Sequence, residues 1–209
     1  MHSDDAGTSR RRFLLVMLAA PVMALGLRLP WADAAESPSP APGSFPPTPE
    51  CGDDDEPTPA ETAGPFFKPR SPLRTSLIEP GLEGTKIVVA GRVFARNCRP
   101  VSGALLDFWH ADDGGEYDND GFRLRGHQFT DAKGNYRLET IVPGVYPGRT
   151  RHIHVRVQAP HGRVLTTQLY FPDEPRNRED GLFRSDLLMA VRDESGRKQG
   201  RFHFLLNAP

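Results

Sequence analysis

Charge of one sign is what this sequence most lacks. Its 209 residues carry 26 Lys and Arg against 27 Asp and Glu, a formal net charge of −1, and no basic run follows the N-terminal arginines. A polyanion binder needs a positive footprint, so nucleic acid is excluded as a partner. Cysteine is scarce: Cys51 and Cys98 are the only two, and they form no C-x-x-C pair. That spacing speaks against a thiolate metal cluster or a dithiol redox site. No apolar run reaches the ~20 residues of a spanning helix. The longest, Phe13 to Leu27, is 15 residues and closes at Arg28. No long 3.6-residue periodicity follows it, no internal repeat is present, and 21 Pro with 20 Gly are too many for a helical bundle. One loop-rich β domain is the class that remains.

What is present begins with the N-terminus. Ser9-Arg10-Arg11-Arg12-Phe13-Leu14 leads into the apolar run, and Ala32-Asp33-Ala34 follows it as a small-x-small cleavage pattern. Residues 1–34 read as an export signal cleaved after Ala34, leaving no stable membrane span. The paired arginines resemble the twin-arginine signal, which implies export of an already folded, cofactor-loaded protein to the bacterial periplasm or the outside. The mature chain keeps 22 basic and 24 acidic side chains, a net charge of −2. Residues 35–57 form a Pro-rich leader, with Pro38, Pro40, Pro42, Pro46, Pro47 and Pro49 set among Ser and Ala, a composition that cannot build a packed core. Both cysteines would meet an oxidising compartment, so a Cys51–Cys98 disulfide is expected.

Residues 58–209 carry the folded domain, read as an all-β sandwich of mixed strands with long loops and little helix. Lys86–Ala95, Ala104–His110, Tyr136–Ile141, His152–Ala159 and Val164–Phe171 are β-patterned runs separated by turn signals. Thr130 to Tyr136 (TDAKGNY) predicts a tight hairpin, Asp131 offering a side-chain acceptor and Gly134 a positive φ. A short helix is expected near Ser185–Arg192. Leu106, Phe108 and Trp109 read as sandwich core.

The chemistry starts at His152-Ile153-His154. Side chains two apart on a strand share a face, so the two histidines point one way while Ile153, Val155 and Val157 point to the other. Their α-carbons lie roughly 6.5 Å apart, within reach of a single ion. An H-x-H strand alone also suits two hydrogen-bonded histidines on a polar face. Two loop tyrosines sharpen the choice: Tyr146 in Pro143-Gly144-Val145-Tyr146-Pro147-Gly148-Arg149, and Tyr117 after Gly114-Gly115-Glu116.

With their flanking residues these motifs resemble the intradiol ring-cleavage dioxygenases, ferric enzymes that open catechols between the two hydroxyls. The likeness runs through Thr58–Phe67 (TPAETAGPFF), Gly91-Arg92-Val93, Pro100–Tyr117 (PVSGALLDFWHADDGGEY), Gly134–His154 and Thr167–Phe171 (TQLYF). The resemblance implies one mononuclear non-haem Fe(III) per chain, bound by Tyr117, Tyr146, His152 and His154. It also implies a catechol-type small molecule and O2 as the reaction partners and a cis,cis-muconate-type diacid as product. Tyr146 would be the ligand that leaves and then acts as base, Arg149 would stand beside the substrate ring, and Gln168 would be the active-site glutamine. The ligand set suits the ion, because ferric iron is a hard cation and phenolate a hard anionic donor. The chain looks closer to a protocatechuate-type catalytic subunit standing alone than to the catechol-type dimers. Homo-oligomerisation and the identity of the catechol stay open.

Two other readings use the same residues. The strand pattern and the D-x-x-G-x-Y turn also resemble transthyretin-like and carboxypeptidase-regulatory-like modules, which bind partners without metal. A zinc or ferrous site built from His152, His154 and a carboxylate of the loop carrying Asp112, Asp113, Glu116, Asp118 and Asp120 would leave the tyrosines without a role. That loop fits no calcium register and reads as solvated. His110, His127, His161 and His203 have no paired spacing and read as surface or hydrogen-bonded histidines.

Overall fold

The computed structural model describes residues 56–208. The expected signal over residues 1–34, nearly all of the expected leader over 35–57, and Cys51 lie outside the described residues. Among the described residues nine strands form: β1 Lys86–Ala95, β2 Leu105–Trp109, β3 Arg125–Phe129, β4 Asn135–Ile141, β5 His152–Gln158, β6 Val164–Tyr170, β7 Ala190–Glu194, β8 Arg197–Arg201 and β9 Phe204–Leu206. Five of them fall where apolar alternation predicts strands. The sequences of β3 (RGHQF), β7 (AVRDE) and β8 (RKQGR) are too polar to carry that signal.

The strands form two sheets. One is mixed, in the order β4-β1-β8-β7, with β9 continuing beside β1 past the end of β8. The other is antiparallel, in the order β3-β2-β5-β6. Between them lies the core: Val89, Val93 and Leu138 from the first sheet meet Leu106, Phe108, Ile153, Val155, Val157 and Leu169 from the second, all fully buried. Removing one such side chain from water contributes about 1.5–3 kcal/mol. That alternation fixes the outward face of β5, which must carry His152, His154 and Arg156. Among the described residues no helix is long and apolar enough to cross a membrane.

Three local expectations are corrected. The turn at residues 130–136 has the predicted chemistry, since Asp131 Oδ1 accepts from Lys133 N and Asn135 N at 2.8 Å each and Gly134 has φ +73°. It does not close a hairpin, because β3 pairs with β2 and β4 pairs with β1; the turn arches from one sheet to the other. The helix expected near Ser185–Arg192 is one 3-10 turn, Ser185–Leu187, after which Met189 N donates to Tyr170 O and the chain enters β7. A sheet edge is a better backbone partner there than a helix too short to nucleate. Trp109 is buried but lies outside the main core, because it follows Phe108 directly and consecutive strand residues face opposite ways.

Candidate metal centre

The outward face of the second sheet is covered by residues 63–67 and by the loops around Tyr117 and Tyr146, so the histidines of β5 are buried: His152 is 4% and His154 2% exposed. Strand pairing sets their neighbours. His152 lies opposite Tyr170, and His154 lies between Trp109 on β2 and Gln168 on β6. The Trp109 and His154 rings stack, 4.9 Å apart and 2° from parallel. His152 Nδ1 is 2.7 Å from Thr150 O, a carbonyl that can only accept, so that nitrogen carries the proton and Nε2 keeps its lone pair. Nε2 faces inward, 3.1 Å from His154 Nε2 and 3.3 Å from the Tyr117 hydroxyl. Burial, reinforced by the charge of Arg149, holds His152 neutral down to about 4, and burial pushes His154 lower as well. Neutral imidazole is the form that binds metal.

The tyrosines arrive on two loops that cross. Asp112 Oδ1 accepts from Gly114 N at 3.0 Å and Glu116 N at 2.9 Å, winding the turn that presents Tyr117. Gly144 N donates to Asp112 O at 2.6 Å, docking the second loop onto the first. Neither contact leaves room for a side chain. A Cβ at Gly144 would lie 2.3 Å from Asp113 O, and one at Gly115 would lie 2.4 Å from Val145 O. This crossing brings the Tyr117 and Tyr146 rings to 5.9 Å in an edge-on arrangement, with Phe66 stacked on Tyr117 at 4.3 Å and edge-on to Tyr146 at 5.4 Å. Buried Arg125 ties the cover down, donating to Phe66 O at 2.6 Å and, by two nitrogens, to Asp118 O at 2.8 and 3.1 Å. Burial pushes the Tyr117 phenol upward, opposed only in part by Arg149 and Arg125, so without a cation the ring stays protonated.

Arg149 and Gln168, placed beside the site by sequence, touch each other: Arg149 Nη2 donates to Gln168 Oε1 at 2.7 Å, and Gln168 Nε2 donates to Thr62 O at 2.9 Å. Sequence reasoning did not assign roles to Phe66, Arg125, Tyr170 or Asp180, nor a ring partner for His154. Phe66 lies in a motif that carries the family resemblance, TPAETAGPFF. Asp180 had no signal, being one acid among many in a turn-rich segment.

The donor atoms fit a metal. His152 Nε2 lies within 3.3 Å of both His154 Nε2 and the Tyr117 hydroxyl, and only one proton can sit in either contact. A cation satisfies all three lone pairs together, and nitrogen with phenolate oxygen suits a hard trivalent ion. Among the described residues no group of three or more His, Cys, Asp or Glu could hold a metal, so the site needs its tyrosines. Asp112 and Asp118 of the acidic loop are turned onto backbone N–H groups, and its Asp113, Glu116 and Asp120 are exposed. Among the described residues His154 Nδ1 has no hydrogen-bond partner, and the ring is held by stacking on Trp109.

Comparison with known proteins gives the chain a family. Residues 62–200 match the Dioxygenase family. Catechol 1,2-dioxygenase 2 of Acinetobacter lwoffii is 31% identical over 69% of this chain and 62% of its own length. The protocatechuate 3,4-dioxygenase beta chain of Burkholderia cepacia is 35% identical over 48% of this chain and 51% of its own. The chain thus spans between half and two thirds of these curated relatives. The solved dioxygenase domain of a dioxygenase carbohydrate-binding protein fusion from Streptomyces sp. SirexAA-E is 57% identical, covers 74% of this chain and all of that one, and superposes with a TM-score of 0.72. The metal-free binding module is thereby set aside. With its two sheets, its buried histidine pair and its crossing tyrosine loops all inside or bordering the matched span, the chain belongs to the dioxygenase family.

Proposed function

We propose that the protein is a non-haem Fe(III)-dependent intradiol dioxygenase that opens a catechol with O2 to a cis,cis-muconate-type diacid, both oxygen atoms entering the product. The observation that carries this reading is the convergence of His152 Nε2, His154 Nε2 and the Tyr117 hydroxyl, with the Tyr146 ring alongside, in a chain of the dioxygenase family. Tyr117, Tyr146, His152 and His154 would hold the iron. When bound, ferric iron supplies the Lewis acidity that draws electrons from a catechol and opens it to attack by O2.

The chain's own groups do the rest. Tyr146 is half-buried where Tyr117 and both histidines are buried, so it is the donor free to swing away and take a proton from a catechol hydroxyl. Arg149, held between Asp180 and Gln168, presents a fixed positive charge to electron density building on the ring. Phe66, Trp109 and Tyr170 keep water from the buried side of the histidines.

The twin-arginine-like signal over residues 1–34 makes this an exported enzyme that folds and takes up iron before transport, and a Cys51–Cys98 disulfide suits the oxidising side. One experiment tests the reading: protein recovered from the periplasmic fraction should begin at Ala35, hold about one iron per chain and be red from tyrosinate-to-ferric charge transfer. It should also consume one O2 per catechol opened. A colourless protein loaded with zinc and inert toward every catechol would sink it.

A further inference from the structure

The Asp180 carboxylate is 8% exposed and lies 31 residues from the arginine it binds. Its Oδ2 accepts from Arg149 Nε at 2.8 Å and from Thr150 N at 2.9 Å, and its Oδ1 accepts from Leu182 N at 2.9 Å. Both partners of Oδ2 lead to the centre. Arg149 continues through Nη2 to Gln168, so the guanidinium is fixed at two separate nitrogens and its plane has no freedom to turn. Thr150 is fully buried, its hydroxyl donates to Asn177 Oδ1 at 2.7 Å, and its carbonyl accepts the Nδ1 proton of His152 at 2.7 Å. A ligand's second nitrogen sets its tautomer and ring orientation, and here that acceptor is held by the backbone that Asp180 grips.

We propose that Asp180 is a positioning residue that sets the Arg149 guanidinium and, through Thr150, the His152 ring in one frame. This rests on the proposed function in taking Arg149 and His152 as site residues. A buried carboxylate shared by a guanidinium and two N–H groups costs far more to remove than a surface ion pair, because its partners stay buried and uncompensated. Its loss would therefore be felt at the arginine and the histidine together.

The test uses the iron-loaded full chain as wild type, Asp180→Asn, Asp180→Glu, Arg149→Ala and the Asp180→Asn, Arg149→Ala double variant. Anaerobic catechol titration by visible absorption reads binding, and steady-state kinetics read kcat and KM. Asp180→Asn should keep its iron, weaken catechol binding by about tenfold and lower kcat/KM by about a hundredfold, with Asp180→Glu between it and wild type. The double variant should bind catechol better than the sum of the two single losses predicts, because both changes break the Asp180–Arg149 interaction while only Asp180→Asn also releases Thr150. Additive losses, or an Asp180→Asn within twofold of wild type, overturn the proposal. If Asp180→Asn does not fold, Asp180→Glu decides, and wild-type binding in that variant overturns it. If the wild type neither binds nor opens any catechol, the proposed function fails instead. The same cycle read by thermal melting then still tests the Asp180–Arg149 coupling, and additive shifts overturn it.

Discussion

A phenol becomes a metal ligand only when a cation replaces its proton, and the two loop tyrosines meet that requirement in different surroundings. Tyr117 is buried under Phe66 with its hydroxyl 3.3 Å from His152 Nε2, so it is built into the cluster. Removing that oxygen leaves two imidazoles and one half-buried tyrosine to hold the metal. Tyr117→Phe is therefore expected to lose iron. Tyr146→Phe should keep it, since three fixed donors remain, but should open catechol more slowly by roughly two orders of magnitude, the usual cost of losing a positioned base. Metal analysis and single-turnover kinetics on both variants check this contrast. Equal turnover in Tyr146→Phe and wild type would return Tyr146 to a structural role. At this scale the sequence was legible where a residue type is rare in its setting: a tyrosine in a Pro- and Gly-rich loop has no strand to belong to. It was silent on Asp180, because nothing in the local sequence distinguishes a buried aspartate from a solvated one.

An element's sequence reports its own periodicity and not its partner. β5 declared itself because its core face and its site face alternate, HIHVRVQ, and burial of Ile153, Val155 and Val157 commits the histidines to the other side. The Asp131 turn was equally legible in its chemistry, yet it joins two sheets, since the same Asp-Gly geometry serves a hairpin and an arch alike. The loop crossing at Gly115 and Gly144 makes the strongest demand. Gly144→Ala places a methyl against the backbone of Asp113 and Gly115, which must move apart and carry Tyr117 away from Tyr146. We expect a loss of about 1–3 kcal/mol of stability, as overpacking typically costs, together with weakened iron retention. Urea denaturation and dialysis of the iron-loaded variant measure the two effects, and an Ala variant with wild-type stability and iron content would show that the crossing is looser than it looks.

Across the whole molecule, buried neutral histidines tie stability to pH. His110 is almost fully buried, its Nδ1 2.7 Å from Ala111 O and its Nε2 2.6 Å from Thr140 Oγ1, and burial lowers its pKa from the ordinary 6.5 to about 4. His203, half-buried beside Arg201 and Arg92, is lowered in the same direction. The unfolded chain takes up these protons first as pH falls. Stability is therefore complete above about 6.5 and declines between 6.5 and about 4, by about 3 kcal/mol for His110 alone. Urea midpoints of the iron-free protein across that window should show the decline, and His110→Gln should flatten it whatever its effect at pH 7.5. An unchanged slope would mean that His110 takes up its proton in the fold as readily as in the unfolded chain. The sequence by itself determined the features that depend on near neighbours: the all-β class, the histidine pair on one strand face, the turn at Asp131 and the two tyrosines with no regular element around them. Spacing along a strand fixes direction, and direction needs no partner. The tertiary structure alone decided which groups meet: Trp109 against His154, Phe66 over Tyr117, Arg125 under the cover, and Asp180 joined to Arg149. These contacts form across tens of residues, and which buried polar groups satisfy one another is settled only when the sheets and loops close together.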